Sequence, residues 1–255
     1  MIVPARYAST RLPGKPLRLI DGRAMILHVV DRARSAGAAS VTVATDDERI
    51  LQTVLEANLE EVGALLTSPD HPSGSDRVME AAQALGLDDD ALVINVQGDE
   101  PRIPASAIEA VARALAERPE LGAATLAQPF ANQAHAQDPN LVKVVRSVSG
   151  RALYFSRSVI PYLRDGPESA ISVEGAPTPF LHHVGIYGFR LATLRRFVRL
   201  PVATLEAQES LEQLRLLAND MDLHVALAPE PVPAGVDTEA DLTRIRSDAV
   251  PSTHG

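Results

Sequence analysis

Apolar runs of strand length alternate with helix-length amphipathic stretches from the first residues onward. Ile2-Val3 opens a strand. Met25, Val29 and Ala33 repeat at helical spacing within residues 24–36, and Gly37 marks the stop. Residues 41–44 form a continuous small apolar run, the pattern of a strand covered on both faces. Asp46 and Asp47 then open a helix whose apolar side carries Ile50, Val54 and Leu55. Residues 76–85 read as a helix and 91–96 (ALVINV) as a buried strand. Pro104 starts a helix that reaches about Glu117. This strand-helix order predicts a largely parallel sheet with helices on both sides.

The rhythm changes after about residue 121. Stretches 123–127, 141–146 and 151–155 are strand-like, with short connections. Residues 164–179 are rich in Gly, Pro and Ser and read as a mobile loop. A strand at 183–189 precedes helices at 191–199 and 204–218, a strand at 223–228 and a helix at 238–246. The stretch from about 140 to 190 reads as a smaller β-rich insertion in a single domain spanning 1–255. The final PSTHG reads as a frayed tail.

Composition narrows the chemistry. With 24 basic and 33 acidic residues, the 255-residue chain has a net charge of −9, which argues against a nucleic-acid partner. The chain has no cysteine, so disulfides, thiolate metal sites and a cysteine nucleophile are excluded. Trp is absent and aromatics are only 4%, which speaks against a base-stacking platform. No apolar run is long enough to insert in a membrane. The first residues carry charge and proline where a signal peptide needs an apolar stretch. The expectation is a soluble, cytoplasmic protein.

The first loop, residues 4–17 (PARYASTRLPGKPL), sits between the first strand and the first helix. In open α/β sheets, ligands bind at the carboxyl ends of the strands. Arg6, Arg11 and Lys15 put three cations on this loop, and Gly14 lets main-chain N–H groups approach an anion. A polyphosphate fits such a loop, and a solvated basic turn fits it equally. It matches neither a Walker loop nor GxGxxG. Residues 96–101 (VQGDEP) place Gln97 and Asp99 after a buried strand, and residues 235–238 (GVDT) place Asp237 after the last one. Two hard oxygen ligands plus phosphate oxygens suit Mg²⁺, although each aspartate alone also suits a helix N-cap.

Residues 70–77 (DHPSGSDR) put Ser73 and Gly74 before a helix start and Arg77 one turn in. A nucleoside can approach there, but an ordinary capped helix explains the pattern as well. Arg157, after residues 154–156 (YFS), can pair bidentately with a carboxylate. His183 and Tyr187, four apart on a strand, share a face. A lone strand histidine is commonly a satisfied structural residue, and His182 and His183 point to opposite faces, which argues against zinc. Glu209 and Glu212 lie on neighbouring faces of the helix predicted at 204–218. They read as a solvated acidic face, or as one contact to a polyol.

These motifs, in this order, resemble the 3-deoxy-manno-octulosonate (Kdo) cytidylyltransferase, or CMP-Kdo synthetase, family. PARYASTRLPGKPL, ATDD, SGSDR, NVQGDEP, PNLVKVV, ALYFSR, HHVGIYGFR, LEQLRLL and GVDT together cover nearly the whole chain. The resemblance implies an α/β fold, a Rossmann-like nucleotidyltransferase with a mixed, mostly parallel central sheet flanked by helices. It implies transfer of CMP from CTP to the anomeric hydroxyl of Kdo for lipopolysaccharide biosynthesis, in a homodimer formed through the β-rich insertion. By the same resemblance Arg6 and Lys15, helped by Arg11, bind the triphosphate. Ala5, Ser73, Gly74 and Arg77 hold cytidine, and Asp99 and Asp237 bind Mg²⁺. Gln97, Arg157, His183, Tyr187 and Glu212 face the sugar acid, and Gln97 and Asp99 also belong to the CTP side. Catalysis falls to Asp99, Lys15, Arg6 and Asp237, by direct in-line attack.

The chain departs from the family pattern in three places. The first strand has few apolar residues before Pro4, which implies a start upstream of Met1. His182 stands where the family has a basic residue, leaving a pH-dependent charge. Residues 58–65 lack a glycine-containing turn. Related acid sugars (8-amino-Kdo, sialic acid) share the CTP residues, and a non-catalytic nucleotide-binding protein lacks any need for two separated carboxylates. A glycosyltransferase usually carries DxD where Gln97-Gly98-Asp99 offers one acid.

Overall fold

The computed structural model describes residues 1–9, 11–166 and 179–249. Most of the predicted 164–179 loop and the PSTHG tail lie outside the described residues. Chain contacts divide into two compact units: Met1–Asp88, Val93–Glu109 and the chain from Val232 onward, and Asp89–Leu92 with Ala110–Pro231.

In chain order the first elements are β1 (Ile2–Ala5), β2 (Leu19–Ile20), β3 (Arg23–Ala24), α1 (Met25–Ser35) and β4 (Val41–Thr45). Then come α2 (Glu48–Glu56), β5 (Val62–Leu66), α3 (Gly74–Ala84), β6 (Leu92–Asn95) and α4 (Ala105–Glu117). They continue with β7 (Ala123–Pro129), β8 (Lys143–Arg146), β9 (Ala152–Ser156), β10 (Leu181–Arg190) and α5 (Leu191–Phe197). The chain ends in α6 (Thr204–Glu209), α7 (Leu214–Ala218), β11 (His224–Leu227) and α8 (Glu239–Ala249).

The first unit is a parallel sheet in the order β6-β1-β4-β5. β1 is internal and pairs with β4 from Ile2↔Thr42 to Ala5↔Thr45. Every residue of β4 (VTVAT) is buried, as a strand flanked by helices on both faces requires. Gly37 takes a left-handed φ of 70° just past α1, and Asp47 caps α2 by accepting from the Arg49 N–H. The turn into β5 does without glycine by placing Asn58 and Glu61 at positive φ. Leu12, Ile20, Met25, Val236, Leu242 and Ile245 form one apolar cluster, which anchors the first loop and the α8 entrance.

The second unit pairs β7 with β10 antiparallel and with β11 parallel. A hairpin of β8 and β9 joins β10 at Leu181↔Val144 and His182↔Lys143. The predicted helix at 204–218 is two helices. Ser210 adopts φ 51°, ψ 49° and ends α6, so Glu212 lies in the connection and does not share a helix with Glu209. A left-handed serine cannot continue a right-handed helix, and the amphipathic pattern on either side masks the break.

Candidate active site

The strand ends β1 and β6, the α3 start and the α8 entrance frame a polar cleft of roughly 350 Å³ in the first unit. Ala5, Arg6, Arg11, Lys15, Ser73, Gly74, Arg77, Gln97, Asp99 and Asp237 all line it. Every residue expected on the CTP and metal side is therefore gathered in one place.

The first loop closes on itself at two residues. Gly14, at φ 64°, donates its N–H to the Tyr7 carbonyl at 3.3 Å. The Arg49 guanidinium lies over the Tyr7 ring, 3.6 Å from its centroid. Gly98 packs against β1 so closely that a Cβ there would stand 2.9 Å from the Pro4 carbonyl oxygen. Arg6 is exposed on the cleft and has no ion-pair partner among the described residues. A guanidinium so placed is available to an incoming anion.

Lys15 makes the central contact. Its Nζ donates to Asp99 Oδ2 at 2.6 Å and to Asp237 Oδ1 at 3.0 Å, and Arg11 approaches Asp237 Oδ2 at 3.2 Å. Two acids remote in sequence thus meet on one ammonium. Burial pulls the Lys15 pKa down, but Asp99 and Asp237 more than offset it and hold it above the ordinary lysine value. The neighbouring Glu100 carboxyl is pushed up to about 8, by burial first and then by Asp99 and Asp237. Asp237 is spared from capping α8. Thr238 and Asp241 cap that helix reciprocally, with Thr238 N–H donating to Asp241 Oδ2 and Asp241 N–H to Thr238 Oγ1.

On the nucleoside side, Ser73 caps α3 by accepting from the Asp76 N–H, as expected. A Cβ at Gly74 would stand 3.6 Å from the Pro4 ring. Arg77 behaves differently from a free ligand-binding cation. It is buried, and its guanidinium donates to Asp46 Oδ2 at 3.0 Å and to Thr67 Oγ1. Gln97 donates to Asn95 Oδ1 at 3.3 Å.

In the second unit, His183 and Tyr187 do share a face, with ring centroids 5.5 Å apart. His183 Nε2 meets Thr125 Oγ1 at 2.9 Å, and Phe155 packs edge-on against its ring. Burial, then His182, push the His183 pKa down to about 3. Burial, then Glu212, raise Tyr187 well above its ordinary value. His182 is pushed down to about 4, by burial and then by Lys143, so it stays neutral near pH 7 and does not supply the pH-dependent charge expected of it. Arg157 is already partnered at each of its three nitrogens. Its Nε donates to the Glu209 carbonyl at 2.6 Å, and its terminal nitrogens donate to the Pro139 carbonyl at 3.0 Å and the Ser210 carbonyl at 3.3 Å.

Sequence reasoning passed over several residues. Asp46 reads as a helix opener, yet Asp47 caps α2 and Asp46 turns to Tyr7 and Arg77. Glu206, which the sequence did not single out, is buried and paired bidentately with Arg215 across the α6–α7 break. Its burial beside an arginine nine residues on is a signal only in the fold. No cluster of three or more metal-ligating side chains occurs among the described residues. The two carboxylates on Lys15 remain a hard oxygen pair, which suits a cation that keeps several waters and phosphate oxygens as ligands.

The cytidylyltransferase family model matches residues 1–223. The chain is 47% identical to a 3-deoxy-manno-octulosonate cytidylyltransferase of Saccharophagus degradans over 97% of this chain and 96% of that one. It is 50% identical to its counterpart in Cellvibrio japonicus, again over 97% and 96%. A solved CMP:2-keto-3-deoxy-manno-octonic acid synthetase in complex with CTP superposes with a TM-score of 0.87 at 41% identity, covering 96% of this chain and 95% of that one. A nucleotidyl transferase from Methanothermobacter, 15% identical over 97% of each chain, shares the fold at a TM-score of 0.56. The Rossmann-like, mixed and mostly parallel sheet is thus the nucleotidyltransferase fold, and this chain belongs to the cytidylyltransferases, among those for 3-deoxy-manno-octulosonate.

Proposed function

We propose that this protein transfers CMP from CTP to the anomeric hydroxyl of Kdo, giving CMP-Kdo for lipopolysaccharide assembly and releasing pyrophosphate. The observation that carries the reading is the meeting of Asp99 and Asp237 on Lys15 in a cleft that also presents Arg6. The sugar oxygen attacks the α-phosphorus, the bond from that phosphorus to the bridging oxygen breaks, and pyrophosphate leaves with the electron pair. The hydroxyl proton passes to solvent. Such a transfer asks chiefly for positioning and charge neutralisation.

Arg6, Lys15 and Arg11 supply the fixed positive charge that a triphosphate needs. Ala5, Ser73 and Gly74 present small groups, so that the nucleoside lies close to the main chain, and Gln97 offers an amide beside Asp99. Asp99 and Asp237 would hold Mg²⁺, which neutralises phosphate charge and lowers the pKa of the attacking hydroxyl. Lys15 must then exchange its carboxylate partners for phosphate oxygens. His183, Tyr187 and Glu212 face the sugar acid. Arg157 serves that side by fixing the Glu209–Ser210 turn, since one donor on each of its nitrogens goes to a main-chain carbonyl.

Exposed Val148 and Leu153 on the β8–β9 hairpin support a homodimer formed through the β-rich stretch, which light scattering of the purified protein reads directly. No helix of the described residues is long and apolar enough to cross a membrane, and the lack of cysteine supports a cytoplasmic place. The decisive experiment is a pyrophosphate-release assay crossing CTP, UTP and ATP with Kdo, 8-amino-Kdo and sialic acid. CTP with Kdo should be the fastest pair. Faster turnover of another sugar overturns the acceptor, and no turnover with any pair overturns the enzyme.

A further inference from the structure

Residues 6–9 and 11–14 belong to no helix or strand, so their main chain must be held by something else. Leu12 holds it through the apolar cluster, and Tyr7 holds it through polar bonds. Its N–H donates to Asp46 Oδ1 at 3.0 Å, and its carbonyl accepts the Gly14 N–H. Arg6 and Lys15 lie immediately outside this Tyr7–Gly14 pinch. Their separation is therefore set by where Tyr7 is fixed.

Asp46 stands just past β4, and its second oxygen accepts from Arg77 at 3.0 Å. Arg77 also donates to Thr67 Oγ1, and that hydroxyl donates to the Thr45 carbonyl at 3.1 Å. The side chains of Arg77 and Asp46 are only 5% and 12% exposed. Charge-assisted bonds in such surroundings are stiff and costly to break. One carboxylate thus ties the cation-bearing loop to α3, whose first residues face the nucleoside side of the cleft.

We infer that Asp46 is a positioning residue for CTP. It sets the spacing of Arg6 and Lys15 through the Tyr7 N–H without touching the nucleotide, and Arg77 contributes to CTP binding through Asp46. The inference rests on the proposed function, and wild-type CTP binding is measured first to keep the two apart. Wild-type protein that does not bind CTP overturns both.

The test compares Asp46→Ala and Asp46→Asn by CTP titration calorimetry, KM for each substrate and thermal unfolding. Asp46→Ala should raise the KM for CTP about tenfold or more, with the KM for the sugar acid within about twofold of wild type. Asp46→Asn keeps an amide oxygen for Tyr7 and should recover part of that loss. A folded Asp46→Ala with CTP affinity within about twofold of wild type overturns the inference, even if its melting temperature falls. Should Asp46→Ala fail to fold, Asp46→Asn decides: a raised KM for CTP alone supports the role, and an unchanged KM overturns it.

Discussion

In the first unit, charged side chains meet at a solvent-facing cleft, with Lys15 spanning Asp99 and Asp237 and Arg6 left without a counter-ion among the described residues. In the second, the expected ligand-facing groups sit in a buried aromatic row. His183 touches Phe155 and Tyr187, Tyr187 stacks on Phe189, and Phe189 on Phe197. Lys15 keeps its charge by pairing with Asp99 and Asp237, whereas burial keeps His182, His183 and Tyr187 neutral. On the proposed function, the first region would meet a polyanion with charge that can be exchanged, and the second would meet a polyol with neutral groups held in place by packing.

Removing one member of the ionic cluster should break the comparison most sharply. Asp99→Ala should cut turnover by about three orders of magnitude while the chain stays folded, because on the proposed function it removes one hard ligand to the nucleotide-bound cation. Undiminished pyrophosphate release would refute the metal role. Asp237→Ala should behave alike, with Lys15 left on Asp99.

Next in size is the clamp of the second unit. Arg157→Ala frees the Glu209–Ser210 turn and should cost about 2 kcal/mol in stability, since charge-assisted bonds to three carbonyls are lost. It should also raise the KM for the sugar acid while leaving that for CTP alone. Equal loss on both substrates contradicts the assignment.

Acid should separate the regions without mutation. The pKa of His183 is about 3 in the fold and near 6.5 unfolded. Above pH 6.5 both states are neutral and the histidine has no effect. Between 6.5 and 3 only the unfolded chain binds the proton, so stability falls, by about 2 kcal/mol at pH 5. His182, near 4, acts in the same direction. Urea unfolding at pH 7 and pH 5 measures the slope, and His183→Gln should flatten it; an unaltered slope in that variant removes His183 as the cause.

The smallest effect belongs to Arg11, whose side chain is 65% exposed. Arg11→Ala should change the KM for CTP by no more than about threefold, because exposed ion pairs are weak and screened. A loss as large as that of Asp99→Ala would move Arg11 into the catalytic machinery.

The alternation of buried strands and amphipathic helices was readable because parallel sheets demand continuous apolar runs such as ALVINV, and helix stops such as Gly37 are local. The first loop and Asp99 were readable as strand-end groups because ligand sites in such sheets follow from chain order; Asp237, expected to end the last strand, instead stands at the α8 entrance, ten residues past Leu227 where β11 stops. Whether Asp237 capped α8 was not readable; Thr238 and Asp241 settled it by taking the capping bonds themselves. The break at Ser210 was hidden because periodicity reports apolar faces and is blind to a single left-handed residue.

Residue type and spacing, then, determined which groups were available and which strand ends they followed. Only the tertiary structure decided what each one was joined to. Arg77 was expected beside the nucleoside and Arg157 against a carboxylate, and the fold joins one to Asp46 and Thr67, the other to main-chain carbonyls. A guanidinium takes whatever acceptors the fold brings within reach, buried as for Arg77 or half-buried as for Arg157, and those acceptors come from chain segments that no local pattern links to it.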